Sequence, residues 1–187
     1  MTRIISPDHF AREFHAVVSG REKQIASLWT TARDYTSLFT DPKTGILLEV
    51  SERLSLRYAN PWWTLDAIFY EGADVENFPV AWRMAKHICV AIEHENNIGW
   101  SHYEINKLSL FNAPLKVLIS YPGREPGTRG ESVVLARYAS ILRDADVFND
   151  FHETRRQLVA FAKRSKDGII SWRYHKYDKH GFSELSP

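Results

Sequence analysis

Three carboxylates, Asp66, Glu93 and Glu95, are the side chains in this chain whose types and spacing best suit chemistry. Glu93 and Glu95 close a short apolar run, residues 88–92, whose β-branched character predicts a buried strand. Strand side chains alternate, so the two glutamates share one face of the sheet and His94 turns to the other. Asp66 interrupts the aromatic and β-branched run of residues 62–70, read as a second strand. An aspartate there is out of place by propensity and calls for a cation, a partner or a solvent-facing position. Like charges this close repel, so donors or a cation are expected among them. Three carboxylates on neighbouring strands make a hard oxygen set for Mg²⁺ or Mn²⁺, ions that leave positions for a substrate phosphate. A metal held there lowers the pKa of a bound water, polarises a phosphoryl oxygen and stabilises the leaving group.

The elements that must position these acids follow from periodicity. Ser6-Pro7-Asp8 reads as a helix start. Helical spacing runs from about His9 to Leu38, with Gly20 dividing it into two helices. Leu47, Val50 and Leu54 predict a short helix over 46–54, with a strand as the alternative, and residues 55–58 a first strand. After the strand of 88–92, Ile98, Trp100, Tyr103, Ile105, Lys107, Leu108 and Phe111 predict an amphipathic helix that ends before Pro114. Residues 115–119 predict a further strand, 131–142 a helix, 148–166 another helix or a mobile basic connection, and 169–177 a last strand. Mixed α/β or α+β is the economical class, with a mixed sheet flanked by helices.

The order helix, strand, strand with Asp66, strand with Glu93-His94-Glu95, helix, strand resembles the PD-(D/E)XK, or restriction-endonuclease-like, nuclease superfamily over residues 46–121. By that resemblance Asp66 matches the metal-binding Asp and Glu93 the first acid of (D/E)-x-K, while Glu95 stands where the motif usually has Lys. Some members resemble this chain in carrying Glu-x-Glu. The resemblance implies Mg²⁺- or Mn²⁺-dependent hydrolysis of DNA phosphodiester bonds, with Asp66, Glu93 and Glu95 as metal ligands. Length and a 44% hydrophobic composition predict one domain over 1–187, and the resemblance divides it into an N-terminal helical part at 1–45, the core at 46–121, and helices and a strand at 122–187. In this superfamily a charged residue on the crossover helix sometimes replaces a core position. Glu104 and Lys107, three apart and so on one helix face, are the candidates, with Lys107 supplying the missing cation. Their alternative is a solvated ion pair. Lys116 is a second candidate cation, or a strand lysine whose head snorkels to solvent.

Other chemistries find little support. His87, His94 and His102 have no trusted ligand spacing and no Cys/His cluster exists, which argues against zinc. No G-x-S-x-G is present, and the lone Cys89 sits in an apolar run, read as a buried small hydrophobe. Residues 122–130, PGREPGTRG, lack the ending of a P-loop and read as a loop whose Arg124 and Arg129 could touch phosphates.

Lys plus Arg number 24 against 23 Asp plus Glu, so any nucleic-acid surface must be local. The segment 163–179 interleaves Lys163, Arg164, Lys166, Arg173, Lys176 and Lys179 with Trp172, Tyr174 and Tyr177, a pattern suited to phosphates and stacked bases or to a charged edge strand. Trp62, Trp63, Trp82 and Trp100 read as core, with an aromatic interaction surface as the alternative. No apolar span of membrane length and no signal peptide occur, so a cytoplasmic protein without a membrane partner is the expectation. DNA is the expected partner; cleaving both strands of a duplex would call for a homodimer. The alternative function is a catalytically inactive nuclease-fold module that binds nucleic acid or protein.

Overall fold

The computed structural model describes residues 3–72, 87–122, 130–148, 150–151 and 153–187. Four helices come first: α1 (Pro7–Gly20), α2 (Glu22–Leu28), α3 (Ala32–Thr40) and α4 (Ile46–Arg53). Three strands follow, β1 (Arg57–Ala59), β2 (Ala67–Glu71) and β3 (His87–Glu95). Then come α5 (Ser101–Ser109), β4 (Leu115–Ser120), α6 (Glu131–Ala145), β5 (Arg156–Arg164), β6 (Ile170–Asp178) and β7 (Gly181–Leu185). The fold is α+β, with one seven-stranded mixed sheet in the order β1-β2-β3-β4-β5-β6-β7.

The pairing is antiparallel from β1 to β3, parallel for β3–β4 and β4–β5, and antiparallel again through β5–β6–β7. Each parallel step needs a crossover helix, which α5 and α6 provide. Both therefore cover one face of the sheet, and α1 to α4 cover the other. The buried residues divide accordingly. Phe10, Phe14, Phe39, Ile92, Val117 and Ala160 pack on the α1–α4 side. Ala91, Ile105, Leu108, Leu118, Tyr138 and Val159 pack on the α5–α6 side.

Local chemistry explains the boundaries. The Ser6 side chain caps α1 by accepting from the His9 amide at 3.1 Å, and Pro7 takes the first helical position, where a missing N–H costs nothing. The pairing of β2 with β3 shifts register between Phe69 and Tyr70, so that Val90 pairs with Phe69 and Ile88 with Tyr70. Cys89 is the extra residue of this bulge, which lets Cys89 and Val90 bury in the same core despite being adjacent.

Several expectations change. The long N-terminal helical stretch is three helices, divided at Arg21 and again at residues 29–31, between α2 and α3. The first strand begins at Arg57 and not Ser55. The run of 62–70 is a strand only from Ala67; residues 62–65 form a tight turn closed by mutual Trp62–Leu65 backbone hydrogen bonds of 3.0 and 2.9 Å. Residues 156–164, read as part of a helix, are strand β5. Gln157 to Ala162 is buried on both faces, as a central strand must be, and a continuous apolar run carries no period to tell strand from helix. The edge strand β7 was not foreseen. Among the described residues no helix is long and apolar enough to cross a membrane.

Candidate active site

Asp66 lies in the short link between the 62–65 turn and β2, not within the strand. Its Oδ2 accepts the backbone N–H of His94 at 2.8 Å, which fixes the aspartate beside the end of β3. This hydrogen bond is the partner that an aspartate near a buried strand requires. Glu93 points to the α5–α6 side and is only 2% exposed. Its Oε1 stands 2.8 Å from Lys107 Nζ, and the same ammonium pairs closely with Glu104 Oε2. Lys107 Nζ also donates to the Thr64 carbonyl at 3.0 Å, tying α5 to the turn that precedes Asp66. Glu95, on the same face as Glu93 by alternation, accepts the Asn97 amide through Oε1 at 2.6 Å as β3 ends.

The five residues singled out by sequence thus gather at the carboxyl end of β3 and on α5. They converge unevenly. Glu93, Glu104 and Lys107 touch, Asp66 reaches β3 through the His94 amide, and Glu95 is engaged with its own turn. Among the described residues no three His, Cys, Asp or Glu side chains stand ready to hold a metal ion.

Electrostatics set the protonation. Burial pushes the Glu93 carboxyl up to about 9; Lys107 opposes the shift, and the charges of Asp66 and Glu104 reinforce it. Burial also raises Glu95, against the Asn97 hydrogen bond. For Lys107 burial acts downward, but the bonds from Glu104 and Glu93 outweigh it and hold the ammonium above its ordinary range. The carboxylates thus hold Lys107 in its charged form, while burial draws Glu93 toward its neutral form.

Four carboxylates lie within electrostatic range of one another, with one ammonium among them. Buried Glu93 Oε1 and Glu104 Oε2 meet that ammonium as an ion pair without hydrogen-bond geometry, so neither oxygen is otherwise satisfied.

Searched against models of known protein families and against curated proteins, the chain matches none.

Other candidates fall elsewhere. His94 turns to the opposite face, as alternation requires. Its ring stacks on Phe39 at 4.6 Å and its Nε2 shares a 2.7 Å hydrogen bond with the Tyr121 hydroxyl. Cys89 is buried, and burial raises its thiol to about 11, so it is no ready nucleophile. Lys116 neither snorkels nor reaches the acids. It is fully buried, its Nζ 3.4 Å from the Ser109 carbonyl at the end of α5 and 4.8 Å from the Phe151 ring centroid. The basic C-terminal segment offers no stacking platform: Tyr174 and Tyr177 are buried, Trp172 packs edge-on against Phe14, and Arg173 is bound by Glu184 and Glu131.

Trp63 and Trp100, read as core, are instead exposed, at 82% and 60%. Periodicity missed both because each sits at an element boundary, Trp63 in a turn and Trp100 at the cap of α5. Trp82, Arg124 and Arg129 lie outside the described residues.

Proposed function

We propose that this protein is a divalent-metal-dependent phosphodiesterase acting on DNA, on a restriction-endonuclease-like core. The observation that carries this reading is the buried Glu93 at the end of β3, set between Asp66 and the Glu104–Lys107 pair. Packing like charges around a desolvated carboxyl costs stability, and such groups concentrate where chemistry is done. The element order from α4 to β4, helix, three strands, helix, strand, supports the fold-level part of the reading.

Asp66, Glu93 and Glu95 would hold Mg²⁺ or Mn²⁺, with Glu104 in support. When bound, such an ion supplies Lewis-acid stabilisation of phosphoryl charge and a nucleophile at neutral pH. The chain's own residues do the rest. Glu93 would serve as a ligand in its ionised form, and Lys107, which pairs with it here, would keep its charge and steady negative charge on a phosphate. The His94 amide holds Asp66 in place, and the Thr64 carbonyl limits how far the Lys107 head can move.

The test is nicking of plasmid DNA with Mg²⁺ or Mn²⁺, comparing the wild type with Asp66→Asn. The asparagine keeps an acceptor for the His94 amide and removes the charge. Cleavage is expected to disappear while thermal unfolding changes little. Absence of cleavage of any DNA or RNA with either metal would overturn the reading.

One observation favours the alternative, an inactive nuclease-fold binding module: Lys107 already pairs with both Glu93 and Glu104, and Asp66 and Glu95 are already hydrogen-bonded. Calorimetric titration with Mn²⁺ separates the two, since an inert module shows no binding that depends on Glu93.

A further inference from the structure

Two polar side chains lie deep in the α5–α6 face and take no part in the acid cluster. Lys116 of β4 and Gln157 of β5 are partners in the parallel register of the two strands. They alternate with Leu118 and Val159, so both side chains rise from the same face of the sheet. Neither is exposed to solvent. Across from Lys116 on β3 stands Ala91, a small side chain two positions before Glu93.

The protein around them does not satisfy their head groups. Among the described residues, Gln157 Oε1 and Nε2 have no hydrogen-bond partner. Lys116 Nζ donates to the Ser109 carbonyl alone, at a long 3.4 Å. An ammonium carries three donors, and a carboxamide carries two donors and an acceptor. Native interiors leave few such groups unmet, because each is costly. The cover over them is well fixed. The Phe151 ring centroid is 4.8 Å from Lys116 Nζ, and Asp146 holds the backbone there by accepting the amides of Asp150 and Phe151 at 2.9 and 3.1 Å.

These surroundings define what can bind there. Complete burial of both side chains restricts the guest to a very small molecule. The charges acting on Lys116 come from Arg155, Asp146 and Asp150, so two cations face two carboxylates and the balance favours a neutral guest. The guest must accept from Nζ or Nε2 and donate to Oε1 or to the Ser109 carbonyl. Water meets all three conditions, and a buried water joins about three otherwise unmet polar groups. We propose that Lys116 and Gln157 share an internal water-binding site. Bound water joins Nζ to the Gln157 carboxamide and so fastens the end of α5, through the Ser109 carbonyl, to the β4–β5 pair. Polar groups on neighbouring strands that do not meet directly are commonly bridged in this way. The site stands independently of any metal or nuclease chemistry at Glu93.

The test uses the full chain in two measurements. In rotating-frame NMR, direct magnetisation transfer from a bound water has the opposite sign to proton exchange. The side-chain amide protons of Gln157 should show a direct cross peak to water in the wild type. In Lys116→Met the same amide protons should remain visible while that cross peak falls at least twofold, since the water has lost a partner. A high-resolution crystal structure of the wild type gives the second reading, which does not depend on any variant folding. It should show a water within about 3.2 Å of both Lys116 Nζ and a Gln157 amide atom. No direct cross peak in the wild type, or one unchanged in Lys116→Met, would overturn the proposal. So would electron density showing Gln157 Oε1 bonded directly to Lys116 Nζ, or an anion between them.

Discussion

Glu93 and His94 are consecutive, nearly equally buried, and lie on opposite faces of one strand. Their surroundings differ in kind. His94 lies in an aromatic cage with Phe39, Tyr35 and Tyr121, and its ring nitrogen shares a hydrogen bond with a tyrosine. Glu93 meets a single ammonium and two further carboxylates within electrostatic reach. The face under α1 to α4 gives the imidazole Nε2 a hydroxyl partner and packs rings around it, as a face built for stability does. The face under α5 and α6 sets a buried carboxyl beside like charges with one ammonium to offset them.

The sharpest way to break this contrast is Glu93→Gln. In metal-free buffer the raised Glu93 pKa means that the folded protein binds more protons than the unfolded chain between the ordinary carboxylate range and about 9. Stability therefore falls as pH rises through that window, by several kcal/mol in all. The glutamine variant should show a shallower fall there in urea titrations at successive pH values, Glu95 and Lys116 keeping their own contributions, and should be the more stable protein at alkaline pH. It should also lose any metal-dependent cleavage. On the other face the expectation inverts. Phe39→Ala removes a fully buried ring that touches His94, Tyr35, Phe14 and Tyr121, and should cost about 3–5 kcal/mol in denaturant melts. The smallest effect belongs to Lys116, which shares the α5–α6 face but has no carboxylate bond. Burial depresses its pKa to about 8, so its cost is present in full below that pH and fades as pH rises toward the ordinary lysine value. Lys116→Met should stabilise the protein at neutral pH by roughly 2–3 kcal/mol, seen as a higher melting temperature.

The strand with the two glutamates, its crossover helix and the next strand were legible because each carries a clean period or a short β-branched run. The opposite orientation of Glu93 and His94 follows from alternation alone. The proximity of Lys107 to Glu93 rested on the family resemblance and on helix spacing, and the contact itself is tertiary. What sequence could not supply was depth. Lys116 looks like a snorkelling lysine until the end of α5 closes over it. Tyr174 and Tyr177 look available beside their lysines, yet β6 directs both into packed cores. Trp63 and Trp100 look like core because tryptophan usually is, and only the turn and the cap that carry them put them in solvent. β5 was misread because a run buried on both sides has no amphipathic signature to interpret.

The bulge at Cys89 bears on how β3 can change over time. Downstream of it, adding or deleting one residue before Glu93 would move the carboxylate into the ring of aromatics and the imidazole toward Lys107, exchanging the two faces in one event. Substitutions along this strand can be absorbed one at a time, but a shift in its reading length cannot. In lineages descended from this chain, length variation should collect in the connections outside β3 and leave the span from Val90 to Glu95 constant.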